Sequence, residues 1–505
     1  MSNQNIFGVA LNLHDHNTYD GVFHNQLERH TRFKHNLPYH AEAYAHQSDI
    51  LNPADYRLND EFVKDHFKNQ NKNNVVFAFT YTYGGIRKAK EELFNTMLKG
   101  HNDILNYEPK KLWDYYFKDN IYYIDHHQSH ATYALLNSGQ SFSDILAIDG
   151  IGSKYRCVFF DKDENLIDLS DKLPIGWLWN HMSNLTSFGT LGASKLMGKV
   201  GYGKYSDYYY NVFQTIFDGP ITEKKQNKFQ HISLHNIDDL AFTLQKFTID
   251  KIKEFVYPLK SCEHLCIAGG VAYNGYMNEE FTKHYKKVFV PPAIGDEGQA
   301  IGVYQHANLI LNSNTHKAET FAGNEYQFKG DEKADYHQVA RAIADGKIVG
   351  WFQGKSESGN RALGNRSILA DPRNPNIKDI INNTIKMRED FRPFAPAVLE
   401  EHYKEYFDTN SPSPYMSRIC KVKTDKVPGV THVDGTARIQ TVNKNFNEKF
   451  YNIINEFYKI TGVPMLLNTS FNCQEPIVET PEHAIKTFKK TALDLLVIND
   501  WVLRK

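Results

Sequence analysis

Long apolar runs, a cysteine framework and an excess of either charge are all missing from this chain of 505 residues. The longest apolar segments fall short of the 18 or so residues a membrane helix needs, and the N-terminus has no basic-then-apolar signal pattern. The five cysteines (Cys157, Cys262, Cys266, Cys420, Cys473) make no CxxC pair and no even set, which excludes a disulfide scaffold. Reduced, buried thiols in a cytoplasmic protein are expected instead. Lys plus Arg number 58 against 59 Asp plus Glu, a net charge of −1, so no broad field draws the protein to nucleic acid or lipid. Neither an internal repeat nor a low-complexity tract is legible in the residues.

What is present suits packed cores: 41% hydrophobic and 13% aromatic residues, over a length that predicts two or three domains. Apolar runs at Ile6–Leu11, Val75–Thr80, Ile121–Ile124 and Ile145–Ile148 read as buried strands separated by helix-forming stretches, the pattern of an α/β architecture. Residues 154–160 and 167–169 suit a β-meander, and Ile237 to Tyr257 an amphipathic helix. The polar stretch from Asn312 to Asp335 reads as a connection between domains.

Chemistry gathers at a few points. In Asp125-His126-His127-Gln128-Ser129-His130 two histidines stand four apart, on one face if a helix continues. Such a pair can hold a divalent metal, or can simply be polar residues of a helical first turn. Asp149 ends an apolar strand and is followed by Gly150-Ile151-Gly152; Asp296 stands in Gly295-Asp296-Glu297-Gly298 at a predicted helix start. Both offer carboxylates beside glycines that would let a phosphate approach the backbone. His14 lies in a polar turn after the first strand. From Gly189 to Lys204 five glycines and three lysines, Lys195 and Gly198 among them, suit an anion site or a surface loop. Gly269-Gly270 follows a strand, with Asn274 expected to face a ligand. The most Arg-rich segments are Glu357–Ser367 and Lys386–Pro396, whose arginines near glycine and proline fit a fixed fork for phosphate or carboxylate. Arg438 is expected on a strand, and Asn468, Ser470 and Asn472 at the end of another.

Taken together, HDHN at 14–17, ERHTRFKH at 28–35, DHHQSHA at 125–131, DGIGS at 149–153, GASKLMG at 192–198, AGGVAYN at 268–274 and GDEGQAIG at 295–302 resemble the O-carbamoyltransferase family of nodulation-factor and antibiotic biosynthesis. The resemblance continues through RALGNRSILADPR at 361–373, KMREDFRPFAP at 386–396, HVDGTARIQ at 432–440 and LLNTSFN at 466–472. It implies an actin-like, sugar-kinase-like (ASKHA) N-terminal domain of threonylcarbamoyl-transferase type over residues 1–325, then a smaller α/β YrdC-like domain over 336–505. The second domain would make carbamoyladenylate from ATP, with Mg2+, and carbamoyl phosphate. The first would pass the carbamoyl group to a hydroxyl of a small-molecule acceptor (antibiotic, sugar or nucleotide) at an Fe2+ or other divalent metal site.

Carried over by position, the metal ligands would be His126, His130, Asp149 and Asp296. Lys386 and Arg388, with Ser470 and Asn472, match the family's KxR and SxN elements, and Arg361, Arg366 and Arg438 would clamp phosphates. Gly150, Gly152, Lys195, Gly198, Gly269, Gly270, Asn274 and Asn468 would line the nucleotide or carbamoyladenylate. His14 would contact the transferred group or the acceptor hydroxyl, with Lys34 and His35 on the acceptor. One departure stands out: Ser358-Gly359-Asn360 replaces the family's aromatic-Gly-Pro before Arg361, which puts the loop carrying that arginine in question. A fused tRNA threonylcarbamoylation enzyme is the alternative, disfavoured by the near-neutral charge. A nucleotide-binding module without transfer chemistry would leave the Arg-rich half unexplained.

Overall fold

A computed structural model describes residues 5–11, 16–19, 21–22, 24–26, 75–81, 121–150, 155–189, 192–217, 219, 232 and 234–505. Two five-stranded sheets come from the front of the chain. In the first, β1 (Asn5–Leu11) leads by antiparallel pairing into β2 (His16–Tyr19) and β3 (His24–Gln26), while β4 (Val75–Tyr81) and β5 (Ile121–Tyr123) add in parallel on the other side. The order is β3-β2-β1-β4-β5. The second sheet does the same: β6 (Asp144–Ile148), β7 (Cys157–Phe160) and β8 (Leu166–Asp168) form the meander, and β9 (His264–Ala268) and β10 (Lys287–Phe289) add in parallel to β6. Its order, β10-β9-β6-β7-β8, is the first read backwards. The topology is therefore duplicated, a repeat that the residues themselves do not display.

The buried strands explain why. β6 and β7 are buried along their whole length, so apolar identity at each position is interchangeable, and only the pairing pattern persists. β6 delivers Asp149 at its C-terminal edge. Helices cover these sheets. Asp125 starts the helix His126–Ser138 by accepting from the amides of His127 (2.9 Å) and Gln128 (3.3 Å), a cap that contributes about 1 kcal/mol. The helix Gln299–Asn312 packs on it and on β1.

From Glu332 onward the chain forms a single ten-stranded mixed sheet, in the order β11 (Glu332–Lys333), β20 (Trp501–Arg504), β19 (Leu495–Ile498), β12 (Val349–Phe352), β13 (Arg366–Ala370), β18 (Met465–Ser470), β14 (Ala395–Leu399), β17 (Thr436–Val442), β16 (Arg418–Val422) and β15 (Phe407–Asp408). Its centre is β12 (Val349–Phe352), β13 (Arg366–Ala370), β18 (Met465–Ser470), β14 (Ala395–Leu399) and β17 (Thr436–Val442). Its apolar cluster runs from Val339 to Val502, separate from the one that runs from Leu146 to Ile294 in the front half. The two halves meet where the helix Gly275–Phe281 packs on β16 (Arg418–Val422). There Asn278 Nδ2 donates to the Ser417 carbonyl at 2.8 Å, and Tyr276 Oη to Asp434 Oδ2 at 2.9 Å. Among the described residues no helix is long and apolar enough to cross a membrane.

Candidate functional site

Four side chains from three separate segments converge in the front half. One ligand atom each from His126, His130, Asp149 and Asp296 lies within 4.8 Å of the others. His126 Nε2 is 3.3 Å from Asp296 Oδ1 and 3.7 Å from Asp149 Oδ2, and His130 Nε2 is 3.3 Å from Asp149 Oδ2 and 3.5 Å from Asp296 Oδ1. Both imidazoles are fully buried. Burial opposes charging His130, yet the two carboxylates outweigh it and push its pKa up to about 9. The same two histidines hold Asp149 well below the usual carboxylate range, against its own burial. Two buried imidazoles facing two carboxylates make an arrangement that suits a cation. Two nitrogen and two carboxylate donors fit a borderline divalent metal.

Neighbouring groups hold Asp149 and the backbones of His126 and Asp296 in place. The Asp149 carboxylate accepts from its neighbour's amide, Gly150 N (2.6 Å), and from Gly270 N (2.9 Å). The second bond needs Gly269, which has φ +97° and whose Cβ would stand 2.3 Å from the Ile148 carbonyl oxygen. On the opposite side Gln299 Nε2 donates to the His126 carbonyl (3.1 Å), and Ser129 Oγ donates to Gln299 Oε1. Asn17 ties the Asp296 carbonyl to the Ala300 amide, at 2.9 and 3.0 Å. Gly302 lets the two helices close up: a Cβ there would be 2.1 Å from the Ser129 carbonyl oxygen.

The second centre is a crowd of arginines in the C-terminal half. Arg361, Arg388 and Arg392 lie close enough to Arg438 that each depresses its charged form, and Arg392 does the same to Arg361 and Arg388. Burial, then Arg392, pushes Arg388 down to about 9; burial outweighs the help of Glu297 and, with Arg392, takes Arg361 to about 10. Burial and the other three hold Arg438 well below the ordinary arginine value. A guanidinium does not give up its proton near neutrality, so the cluster keeps buried like charges close together, an arrangement that suits an anion. The opposing carboxylates that reach it are Glu297 and Glu389, leaving four positive charges against two negative, a surplus of two.

Beside this cluster Lys386 Nζ reaches Ser470 Oγ (3.1 Å), Asn472 Oδ1 (2.6 Å) and the Ser470 carbonyl. Lys386 closes a π-helical turn and Met387 follows in a left-handed conformation (φ 47°), a strain of about 1–2 kcal/mol at a non-glycine residue. That reversal puts Met387 in solvent while Lys386 is buried, and Arg388 is pinned by its Nε bond to Asn382 Oδ1 at 2.8 Å. The segment before Arg361 has an anchor that the residues do not advertise. Buried Glu357 Oε1 accepts from the amides of Leu363 (2.6 Å), Asn365 and Arg366 (3.3 Å each). Gly359, with φ +92°, comes so near the front half that a Cβ would be 2.5 Å from the Pro292 carbonyl oxygen. These contacts hold the loop in place of the missing proline. Arg361 lies 5.0 Å over the Tyr273 ring, and Tyr273 Oη donates to Glu297, the residue after Asp296. The two centres thus share a wall.

Several expected ligand contacts are redirected. Arg366 is fully buried, donates to the carbonyls of Gln353 (2.8 Å), Asn365 (3.0 Å) and Gly354 (3.1 Å), and lies 3.6 Å from the Phe352 ring centre; its guanidinium is spent on the fold, not on a phosphate. Lys195 pairs with Glu389 across the two halves at 2.7 Å, and Gly198 faces the Phe391 ring. Asn274 caps the helix Gly275–Phe281 through Oδ1 and donates to Gln245 through Nδ2. Asn468 Nδ2 donates to Ala362 O (3.1 Å) and Gln440 Oε1 (2.8 Å), fastening the Arg361 loop rather than touching a nucleotide. The amides of Gly150 and Gly270 serve Asp149 rather than a phosphate. His14, Lys34, His35 and Gly152 lie outside the described residues. Arg392, Glu357 and the Tyr273–Glu297 pair went unassigned from sequence; for Arg392 the signal was its place in the same Arg-rich segment as Arg388.

Comparison with known proteins agrees with this layout. The family profile "Carbamoyltransferase N-terminus" matches residues 6–304 and "Carbamoyltransferase C-terminus" residues 340–505. Nodulation protein NolNO of Sinorhizobium fredii is 34% identical over 76% of this chain and 64% of its own length. Nodulation protein NolO of Bradyrhizobium diazoefficiens is 32% identical over 76% of this chain and 79% of its own. An uncharacterized protein of Synechocystis sp. is 32% identical over 75% of this chain and 76% of its own. Among solved structures, the activator of 2-hydroxyisocaproyl-CoA dehydratase from Clostridium difficile aligns with a TM-score of 0.36 at 12% identity, covering 61% of this chain and 96% of that one. The two profiles together span both centres, and the chain belongs to the carbamoyltransferase family, a family of transferase enzymes.

Proposed function

We propose that the protein is an ATP-dependent O-carbamoyltransferase that forms carbamoyladenylate in its C-terminal half and transfers the carbamoyl group to an acceptor hydroxyl in its front half. The duplicated five-stranded topology supports an actin-like, sugar-kinase-like reading of residues 1–325, and the mixed sheet beyond Glu332 is the candidate YrdC-like domain of residues 336–505. The observation that carries the proposal is the pairing of opposites: a buried cation-seeking group and a buried anion-seeking cluster, joined through Arg361, Tyr273 and Glu297.

Carbamoyl phosphate, ATP and one water would yield carbamoyladenylate, phosphate and pyrophosphate. Arg361, Arg388, Arg392 and Arg438 would hold the phosphates in line, and Lys386, oriented by Ser470 and Asn472, would steady the carbamoyl end. The activation is needed because an alcohol does not displace the carbamoyl group from a poor leaving group, whereas AMP leaves readily. Both halves enclose the intermediate and keep water from it. His126, His130, Asp149 and Asp296 would hold a divalent metal, iron by family resemblance, which when bound would polarise the carbamoyl carbonyl. Gly269 and Gly270 keep Asp149 in place, and Gln299 keeps His126 in place, so the acceptor meets a fixed group. Cys157, Cys266 and Cys420 are buried thiols pushed up by burial, and the reaction assigns them no role. The acceptor is a hydroxylated small molecule, with a cytoplasmic setting and Mg2+ accompanying ATP as parts of the same reading.

The test is pyrophosphate release that depends on carbamoyl phosphate. Lys386→Ala and Arg388→Ala should each abolish it. Release that persists in either variant would show that the anion centre lies elsewhere.

A further inference from the structure

We propose that Lys195 is a positioning residue that holds one oxygen of the Glu389 carboxylate and so limits its pairing with the arginine cluster, which sets how tightly the C-terminal half binds a phosphate-bearing substrate. The inference rests on the anion-binding reading above and extends it to a residue of the other half.

Glu389 directly follows Arg388 and shares its loop with Arg392. Its Oε2 is 3.7 Å from Arg392 Nη1, while its Oε1 is 2.7 Å from Lys195 Nζ. One carboxylate is therefore pulled from two sides, by an arginine of its own half and a lysine of the other. A carboxylate one residue from Arg388 is a standing rival for the donors that an incoming phosphate needs, because it is always at high effective concentration. Glu297, the second carboxylate at the cluster, is likewise restrained, by Tyr273 Oη and by the Gly295 amide at 3.2 Å. Both rivals are thus held by groups of the front half.

Lys195 is placed for this by the packing around it. The short helix Ala193–Gly198 docks on the 388–392 loop. A Cβ at Gly198 would touch the Phe391 ring at 3.3 Å, and the Phe188 and Phe391 rings are 5.7 Å apart. Lys199, one turn on, lies 4.6 Å over Phe391 but is committed to Asp238 at 3.1 Å, which leaves Lys195 to meet Glu389. Burial would raise the Glu389 pKa; the bond to Lys195, with Arg392 behind it, lowers it below the ordinary glutamate value. The lysine that sequence placed on the ligand is redirected to the ligand's competitor.

The experiment is calorimetric titration of the full-length protein with inorganic phosphate, alongside the carbamoyl phosphate dependence of pyrophosphate release. The pair is about one-third exposed on both sides, so the expected effect is modest. Lys195→Met should weaken phosphate binding about fivefold and raise KM by a similar factor, with kcat within about twofold. Glu389→Gln should bind phosphate as tightly as the wild type or tighter. Lys195→Met/Glu389→Gln should match Glu389→Gln, since with no rival charge there is nothing to tether. Unchanged binding in Lys195→Met overturns the proposal. So does a double variant as weak as Lys195→Met, which would make Lys195 itself a phosphate contact. A wild-type protein that binds no phosphate overturns the anion-binding reading, and the tether with it.

Discussion

The two centres are opposites in charge and in construction. In the front half two imidazoles face two carboxylates, with Asp149 held by the Gly270 amide and the backbones of His126 and Asp296 held by Gln299 and Asn17. In the C-terminal half four guanidiniums face two carboxylates, and the positions are set by one loop, one strand and one strained turn. The first centre gathers donors that suit a cation; the second gathers positive charge that suits an anion. On the proposed function, the difference lets one chain divide a reaction: an anionic, activated intermediate would be held where positive charge is in surplus, and transferred where a cation could be gripped.

The contrast can be broken most severely at Arg438, whose charge burial and three arginine neighbours already disfavour. Arg438→Met should lower carbamoyl phosphate-dependent pyrophosphate release about 10²- to 10³-fold while leaving metal content unchanged. A comparable loss of metal would mean the centres are not separable. Asp149→Asn provides the converse: metal analysis of the purified variant should find the bound ion gone, with pyrophosphate release retained. Stability sharpens the comparison further. In Gly302→Val the side chain would have to displace the Ser129 carbonyl, at a cost of roughly 1–3 kcal/mol. Denaturant unfolding should show that cost, and metal affinity should fall, because the two helices carry His126, His130 and the residues after Asp296. The smallest effect belongs to the cap: Asp125→Ala should lose about 1 kcal/mol and weaken metal binding only slightly, as His126 begins to fray. An Asp125 variant as damaging as Gly302→Val would mean that the helix start, and not the helix contact, sets the geometry.

The front centre was largely legible because its ligands sit in short motifs whose local structure places them: an i, i+4 pair on a capped helix, and carboxylates at the ends of regular elements. Strands β1, β4, β6 and β9 were legible for the same local reason, as buried apolar runs. What a glycine or arginine faces was not, since that is decided by segments far away in sequence. Arg361 and Arg366 stand in the same motif, yet Arg361 reaches Tyr273 of the other half and Arg366 turns into carbonyls beneath β12. Asn274 reads as a ligand contact until the next helix turns out to need its cap. The duplicated sheet topology was hidden because pairing order leaves no trace in residue identity. The departure at Ser358-Gly359-Asn360 was visible, but its compensation depends on Glu357 folding back on three amides, a contact no local rule predicts.

Division of labour between the two centres is tested most directly in His130→Ala, by following pyrophosphate and carbamoylated acceptor in the same reaction. Pyrophosphate release should stay within about threefold of wild type while acceptor carbamoylation falls by about 10²-fold or more. Equal loss of both products would contradict two centres acting in sequence.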